Sequence, residues 1–166
     1  MGRKLVRIGG VMALFGLVGG GASIFVPWMR QLVVTGSGRR AESRVESVTV
    51  LNLPHGLWYV LFLGSLFALV GTAAMGVDRG RKLAGVAGPI LSLVTAFVVV
   101  GLITTFDGKA PAVGRVTDTA VAAGGWLGLV SLPLMGLACG LIAIGRAGAL
   151  SRLPSDTSGP YDAGHA

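Results

Sequence analysis

The side chains that could carry chemistry are few in this sequence, and they form no recognisable set. The single cysteine, Cys139, lies within an apolar run, which excludes a redox pair and an intrachain disulfide. The two histidines, His55 and His165, stand far apart. A metal site needs a cluster of histidine, cysteine and carboxylate ligands, and a nucleophilic enzyme needs a base beside its nucleophile. We therefore predict that the protein is not an enzyme and that it holds no cofactor and no metal.

Four long apolar runs dominate the chain. Its 166 residues are 52% hydrophobic and 13% charged, with a mean hydropathy of +0.76, whereas a soluble domain carries about a quarter charged residues. A helix needs roughly 20 apolar residues to cross the hydrocarbon layer of a membrane. Four runs reach this length without an interior charge, at 8–26, 57–77, 83–106 and 121–145. The first run continues past the small-residue stretch at 21–23, which favours a retained helix over a cleaved signal peptide.

The four apolar runs contain no Asp, Glu, Lys, Arg or His. Ionisable residues inside a membrane mark proton relays, ion pathways and coupling sites, so this composition argues against a proton-coupled transporter or pump. Haem-bearing four-helix proteins need axial histidines within their helices, whereas His55 precedes the second run. We interpret His55 as an ordinary interfacial histidine rather than as a pH sensor.

The basic residues lie between the apolar runs, where such residues set the orientation of a membrane protein. The net charge of +7 is therefore not interpreted as a sign of nucleic-acid binding. Short, densely basic segments stay in the cytoplasm. Two such segments precede the first run and join the second run to the third: Arg3, Lys4, Arg7, Arg79, Arg81 and Lys82. We predict a multi-pass protein of the plasma membrane with both termini in the cytoplasm.

Aromatic residues at the boundaries of the runs support the same orientation. Trp and Tyr prefer the membrane–water interface, where one part of the ring system is apolar and the other is wet. In the predicted topology, five aromatic residues fall on the outer side and are expected to be interfacial anchors: Trp28, Trp58, Tyr59, Phe106 and Trp126.

The outer loop at 27–56 is predicted to form a β-hairpin. Residues 31–35 and 45–50 are rich in β-branched side chains, and the stretch 36–40 between them offers turn residues. A lone two-stranded hairpin is only marginally stable. We therefore expect support from the helix ends, from a partner protein, or from a further strand at 113–117.

Two segments outside the predicted helices carry further expectations. Near the hairpin tip, Arg39, Arg40 and Arg44 could contact anionic lipid headgroups or an acidic partner, and a solvated tip is the equally weighted alternative. The segment 151–166 is rich in Ser, Gly, Pro and Asp and has no hydrophobic periodicity. This composition predicts a disordered cytoplasmic tail.

Small residues recur at four-residue spacing in three of the runs. Such pairs let membrane helices approach closely. They are Gly16 with Gly20, Ala84 with Gly88, Gly124 with Gly128, and Gly136 with Gly140. The first explanation is packing of the four helices on one another. Two pairs on the fourth run offer more close-packing surface than one neighbouring helix needs, which favours contact with another membrane subunit.

Together these features predict an all-α membrane protein, with a four-transmembrane-helix bundle at 1–150 and a β-hairpin in the first extracytoplasmic loop. Trp28 and the triplet at 56–58, Gly-Leu-Trp, flank that loop and give a layout that resembles the claudin-type four-helix architecture. The loop lacks the cysteine pair of that family, so the resemblance implies architecture and no function. The layout and the Ala-, Gly-, Val- and Arg-rich composition also resemble small four-span membrane proteins of high-GC Gram-positive bacteria, whose roles are undefined.

Two functional hypotheses follow from these expectations. The first is a non-catalytic accessory or stabilising subunit of a larger cell-envelope membrane complex, such as a lipid importer of the MCE type or a respiratory supercomplex. The alternative is an independent lipid-binding or lipid-transport membrane protein. An enzyme ranks third, because Thr104, Thr105 or His55 would have to act without the usual partners. The expected partners are membrane lipids and other integral membrane subunits, and not nucleic acid.

Overall fold

A computed structural model describes residues 2–36, 41–106 and 114–150. Its four helices are α1 (Gly2–Phe25), α2 (Gly56–Met75), α3 (Asp78–Thr104) and α4 (Ala123–Leu150). Each of them is long and apolar enough to cross a membrane, as predicted. The helices α1 and α3 begin several residues before the predicted apolar runs. Arg and Lys are good helix formers, so the basic segments that flank these runs continue the helices.

The fourth helix is the centre of the bundle. It packs most extensively on α1, next on α3, and to a smaller extent on α2, while α2 packs on α3. The helices α1 and α2 have few contacts with each other. Only Gly76 and Val77 separate α2 from α3, and such a short connection makes the two helices antiparallel neighbours. Arg81 fixes this turn, because its Nη2 donates a hydrogen bond of 2.7 Å to the carbonyl oxygen of Gly76.

A three-stranded antiparallel sheet lies at the other end of the bundle. Strands β1 (Met29–Thr35) and β2 (Glu42–Val48) form the predicted hairpin, and β3 (Arg115–Val121) pairs with the other side of β1. The order is therefore β2-β1-β3. The hairpin strands lie a few residues earlier than predicted, because the chain turns into a short 3₁₀ helix at Val50–Asn52. The third strand gives the support that an isolated hairpin would lack.

The core extends from the bundle into the base of the sheet. Its largest fully buried apolar side chains in the described part of the chain are Trp28, Tyr59, Leu63, Leu66, Leu132 and Met135. Met29 and Val48 continue the same cluster into the first and second strands. Large apolar side chains such as Phe15 and Phe97 point outward from the bundle. An extended apolar exterior is the surface that a membrane-embedded bundle requires.

Candidate functional site

A buried polar cluster joins the bundle to the sheet. Trp28 is fully buried, and its Nε1 donates a hydrogen bond of 2.6 Å to the carbonyl oxygen of Ser23. The Ser23 hydroxyl donates to the carbonyl oxygen of Gly20 at 2.6 Å. A hydroxyl carries one hydrogen, so the Tyr59 hydroxyl is the donor in its 2.7 Å bond with Ser23 Oγ. These bonds tie α1, α2 and the entry to β1 together. We name Ser23, Trp28 and Tyr59, with Gly124 and Gly128 of α4, the junction.

The two glycines of the junction make room for the aromatic rings. The Trp28 and Tyr59 rings meet edge to face with centroids 4.6 Å apart. A Cβ at Gly128 would lie 3.0 Å from Trp28 Cζ2 and 3.1 Å from the Tyr59 oxygen. A Cβ at Gly124 would collide with the carbonyl oxygens of the two residues before Trp28. The Gly124 amide donates to the second of these oxygens at 2.8 Å. The first turn of α4 is therefore held directly against the chain that enters the sheet.

The five predicted interfacial aromatics divide into two groups. Trp58 and Trp126 are 55% and 59% exposed and can serve as anchors. Trp28, Tyr59 and Phe106 are buried instead, which differs from the prediction. The physical reason for Trp28 and Tyr59 is that α4 offers glycine surfaces to their rings and Ser23 satisfies their polar atoms. An aromatic residue at the end of an apolar run has the same sequence context whether it is an exposed anchor or a buried core residue, so the sequence does not distinguish the two.

The interface between α1 and α4 is built from small residues. The buried face of α1 consists of Gly9, Ala13, Gly16, Gly20 and Ser23. A Cβ at Gly16 would lie 2.6 Å from the Met135 side chain, so the contact depends on glycine. The predicted pair Gly16 and Gly20 belongs to this face. Gly9 and Ala13 have the same four-residue spacing and belong to the same face, although they were not among the predicted pairs.

The interface between α3 and α4 uses one glycine from each of two predicted pairs, Gly88 of α3 and Gly136 of α4. Ala84 is fully buried, and a Cβ at Gly88 would lie 2.6 Å from Cys139 Cβ. A Cβ at Gly136 would lie 2.7 Å from Cβ of Ser92, whose hydroxyl donates to the carbonyl oxygen of Leu132 at 2.8 Å.

The glycines of α4 are thus used mainly within the chain. The exception is Gly140, where an added Cβ would have no described atom within 4 Å. In the described structure α4 contacts α1, α2 and α3 rather than one neighbour, so its glycine pairs have uses within the chain. Contact of this helix with another subunit stays a prediction.

One face of the sheet is open. It carries Arg30 and Leu32 of β1, Val45 of β2, and Asp118 and Ala120 of β3. These residues line a shallow depression of about 280 Å³, and Val45 is 63% exposed. We name this surface the open face.

The opposite face of the sheet is covered near its base. Met29, Gln31 and Val33 are buried there, and the Gln31 amide donates to the Glu46 carboxylate at 3.2 Å. The sheet therefore has one face directed into the protein and one directed away from it.

The predicted arginine group is described only in part. Arg44 lies on β2 and is exposed, on the face of the sheet opposite to Val45. Arg39 and Arg40 lie outside the described residues, as does the tail at 151–166. Contact of these arginines with lipid headgroups or an acidic partner stays a prediction.

An apolar groove of about 450 Å³ runs along the α3–α4 contact. Pro89 and Leu93 line it from α3, and Leu129, Pro133 and Leu137 line it from α4. The Ser92 hydroxyl at the groove is already bonded to Leu132. The groove therefore offers an apolar surface on the outside of the bundle.

The described titratable residues do not converge. Within the described ranges, no group of three or more His, Cys, Asp or Glu side chains could hold a metal ion. Cys139 is buried in the bundle. His55 is exposed just before α2, in the left-handed backbone region with φ 62°.

No protein-family model matches this chain, and no curated protein matches it significantly. The similarity to claudin-type proteins therefore stays an architectural resemblance. Any proposal for its function depends on the geometry of the chain itself.

Proposed function

We propose that this protein is a non-catalytic accessory or stabilising subunit of a larger cell-envelope membrane complex. A lipid importer of the MCE type and a respiratory supercomplex are hosts of the required kind. The observation that carries the proposal is a sheet with one open face, fixed to a bundle that can span the membrane. A sheet fixed in this way can hold a partner's extracytoplasmic segment in a defined position relative to the membrane.

The junction supports this role because it prevents the sheet from swinging on the bundle. Trp28 begins the hairpin and is fully buried between Ser23, Tyr59 and Gly128. The Ala122 amide, just after β3, donates to the Trp28 carbonyl oxygen at 2.7 Å. A buried network whose polar groups are satisfied is rigid and specifies one arrangement.

The chemistry of the open face also fits a protein partner. Leu32 and Val45 provide apolar surface at its centre, and Arg30 and Asp118 provide charges beside them. Protein interfaces combine an apolar centre with a polar rim in this way.

The expected orientation places the open face outside the cytoplasm. The first residues of α1 meet the last turns of α4, since a Cβ at Gly145 would touch Val6. The start of α3, with Arg81 and Lys82, also adjoins the end of α4 at Ala143. The basic segments therefore share one end of the bundle, and the sheet occupies the other. Basic ends face the cytoplasm, so we infer a plasma-membrane protein with both termini inside.

Photo-crosslinking from the open face tests the proposal. A photoreactive residue at position 32, in cells that carry the native complex, is expected to crosslink one defined membrane subunit. Leu32→Glu should then release that subunit during purification in mild detergent. Asn52→Glu adds the same charge in the 3₁₀ helix, away from the open face, and should retain it. The proposal would be refuted if the unchanged chain co-purified with no subunit, or only with subunits that Leu32→Glu also retains.

The apolar groove favours a second candidate, an independent lipid-binding or lipid-transport protein. A groove of about 450 Å³ with an apolar lining accommodates part of an acyl chain. Native mass spectrometry should then detect one bound lipid that survives removal of the detergent. Ala96→Phe places a ring in the groove and should remove this lipid, whereas Val86→Phe on the exposed side of α3 should not. Equal lipid retention in both variants would exclude the groove as the site.

A further inference from the structure

The outer edge of β2 has no partner strand among the described residues. The strand order β2-β1-β3 makes Glu42–Val48 a sheet edge of seven residues. Six of these residues, from Glu42 to Ser47, are exposed or half-buried. An edge of this length offers unpaired amide and carbonyl groups to another strand, and soluble proteins usually shorten, cover or interrupt such edges.

The sequence of β2 is complementary to itself in one antiparallel register. The strand reads Glu-Ser-Arg-Val-Glu-Ser-Val from 42 to 48. If two copies meet with Val45 opposite Val45, Arg44 of each copy lies opposite Glu46 of the other. Ser43 then lies opposite Ser47. Opposite residues in such a pair have Cβ atoms about 5 Å apart, within reach of an ion pair.

Neighbouring registers lack this complementarity. Directly opposite residues share a face of the sheet, so a continuous sheet permits only shifts that keep the two faces aligned. A register centred on Arg44 sets Arg44 against itself and Glu42 against Glu46. A register centred on Glu46 sets that carboxylate against itself. The charges therefore select the register that is centred on Val45.

The orientation of the sheet is compatible with two copies in one membrane. Antiparallel neighbouring strands are related by a twofold axis perpendicular to the sheet. The sheet directs Met29 and Val48 into the core of the bundle, and Val45 away from it. A twofold axis at Val45 keeps both copies in the same membrane orientation when it runs along the bundle.

We propose that β2 pairs with β2 of a second copy of this chain, in the antiparallel register centred on Val45. The result is a homodimer with one continuous six-stranded sheet, three strands from each copy. Arg44 of each copy forms an ion pair with Glu46 of the other copy, on the face of the sheet opposite to Val45. The homodimer goes beyond the accessory role, because it uses the backbone edge of β2, whereas the accessory role uses the side chains of the open face; Val45 belongs to both.

Cysteine crosslinking tests the register directly. In a Cys139→Ala background, Val45→Cys places two thiols opposite each other, with Cα atoms about 4.5–5.5 Å apart and within disulfide range. Mild oxidation in membranes should convert most of this variant to a covalent dimer. Ser43→Cys is the matched control, because its two copies would lie about 14 Å apart. The double variant Ser43→Cys/Ser47→Cys should crosslink again.

Charge exchange tests the ion pairs. Arg44→Glu sets like charges opposite each other twice and should raise the dimer dissociation constant about tenfold. Adding Glu46→Arg reverses both pairs and should restore the dimer. Light scattering or mass photometry in detergent gives the dimer fraction, and circular dichroism checks that each variant is folded.

Two results would overturn the homodimer. One is Val45→Cys crosslinking no faster than Ser43→Cys. The other is a folded monomer at every protein concentration, with Arg44→Glu indistinguishable from the unchanged chain. Neither result bears on the Leu32 crosslinks, so failure of the homodimer and failure of the accessory role can be told apart.

Discussion

At the scale of single residues, close packing in this protein depends on the absence of a side chain at glycine. At Gly124 of α4, backbone carbonyl oxygens of the two residues before Trp28 occupy the space that a side chain would need. At Gly128, the ring of Trp28 occupies that space. At Gly140, the missing side chain leaves space with no described atom within 4 Å. Glycines a few turns apart in one helix thus differ: Gly124 and Gly128 are needed for close packing, whereas Gly140 is not.

Gly124→Ala should destabilise the protein by about 1–3 kcal/mol. The added Cβ meets carbonyl oxygens of the backbone, which cannot move aside as the end of a flexible side chain can. Gly140→Ala should stabilise the protein by about 0.4–1 kcal/mol, because the added Cβ meets no described atom and alanine loses less backbone entropy on folding. Thermal unfolding in detergent, followed by circular dichroism, distinguishes the two. Equal effects would show that the contact at Gly124 is not rigid.

His55→Gly should stabilise the protein by about 0.5–1 kcal/mol. His55 adopts φ 62°, and a left-handed conformation costs an ordinary residue about 1–2 kcal/mol that glycine does not incur. The greater freedom of glycine in the unfolded chain offsets part of the gain. His55→Ala keeps the strain and should give no increase in the unfolding temperature. A loss of stability in His55→Gly would mean that the imidazole itself makes a stabilising contact.

At the scale of elements, the sheet has one well-protected strand between two edges. Both sides of β1 are paired, with β2 on one side and β3 on the other. The inner face at β1 is also buried at Met29, Gln31 and Val33. The outer sides of β2 and β3 lack described partners, so opening should begin there.

Hydrogen exchange should resolve this difference. Amides of β1 are expected to exchange most slowly in the sheet at any protein concentration, because they are enclosed on both sides. The outward amides of β2 should become protected as concentration rises and the homodimer forms. In Arg44→Glu, this concentration dependence should be lost while β1 stays protected. Rapid exchange throughout β1 would contradict the strand order.

Elements were predictable to the extent that local pattern determines them. Hydropathy alone located four apolar helices, and β-branched residues on both sides of a glycine-rich turn located the hairpin. The burial of Trp28 and Tyr59 was not predictable, because it depends on Gly124 and Gly128, which lie 65 to 100 residues further along the chain. The central position of α4 was not predictable either. Small-residue spacing shows that a helix packs closely but does not identify its neighbours.

At the scale of the whole molecule, the bundle has two unlike ends. The N-terminal turns of α1 and α3 and the last turns of α4 share one end, which is basic. The sheet and the junction occupy the other end. This polarity agrees with the orientation inferred from the basic segments.

Accessibility labelling tests the orientation. In a Cys139→Ala background, Ser47→Cys in the sheet should react with a membrane-impermeant maleimide added to intact cells. Arg79→Cys, exposed at the start of α3, should react only after the membrane is permeabilised. The reverse pattern would invert the proposed topology and move the open face into the cytoplasm.

The central position of α4 also has a consequence for biosynthesis. The glycine-lined face of α1 has its main partner in α4, which is synthesised about 100 residues later. At roughly 5–20 residues per second, α1 spends on the order of ten seconds in the membrane before that partner exists. The third strand likewise joins the hairpin only after α3 has been made. The bundle therefore closes only once α4 has been made, and a nascent chain that stops before α4 exposes an unpaired helix to membrane quality control.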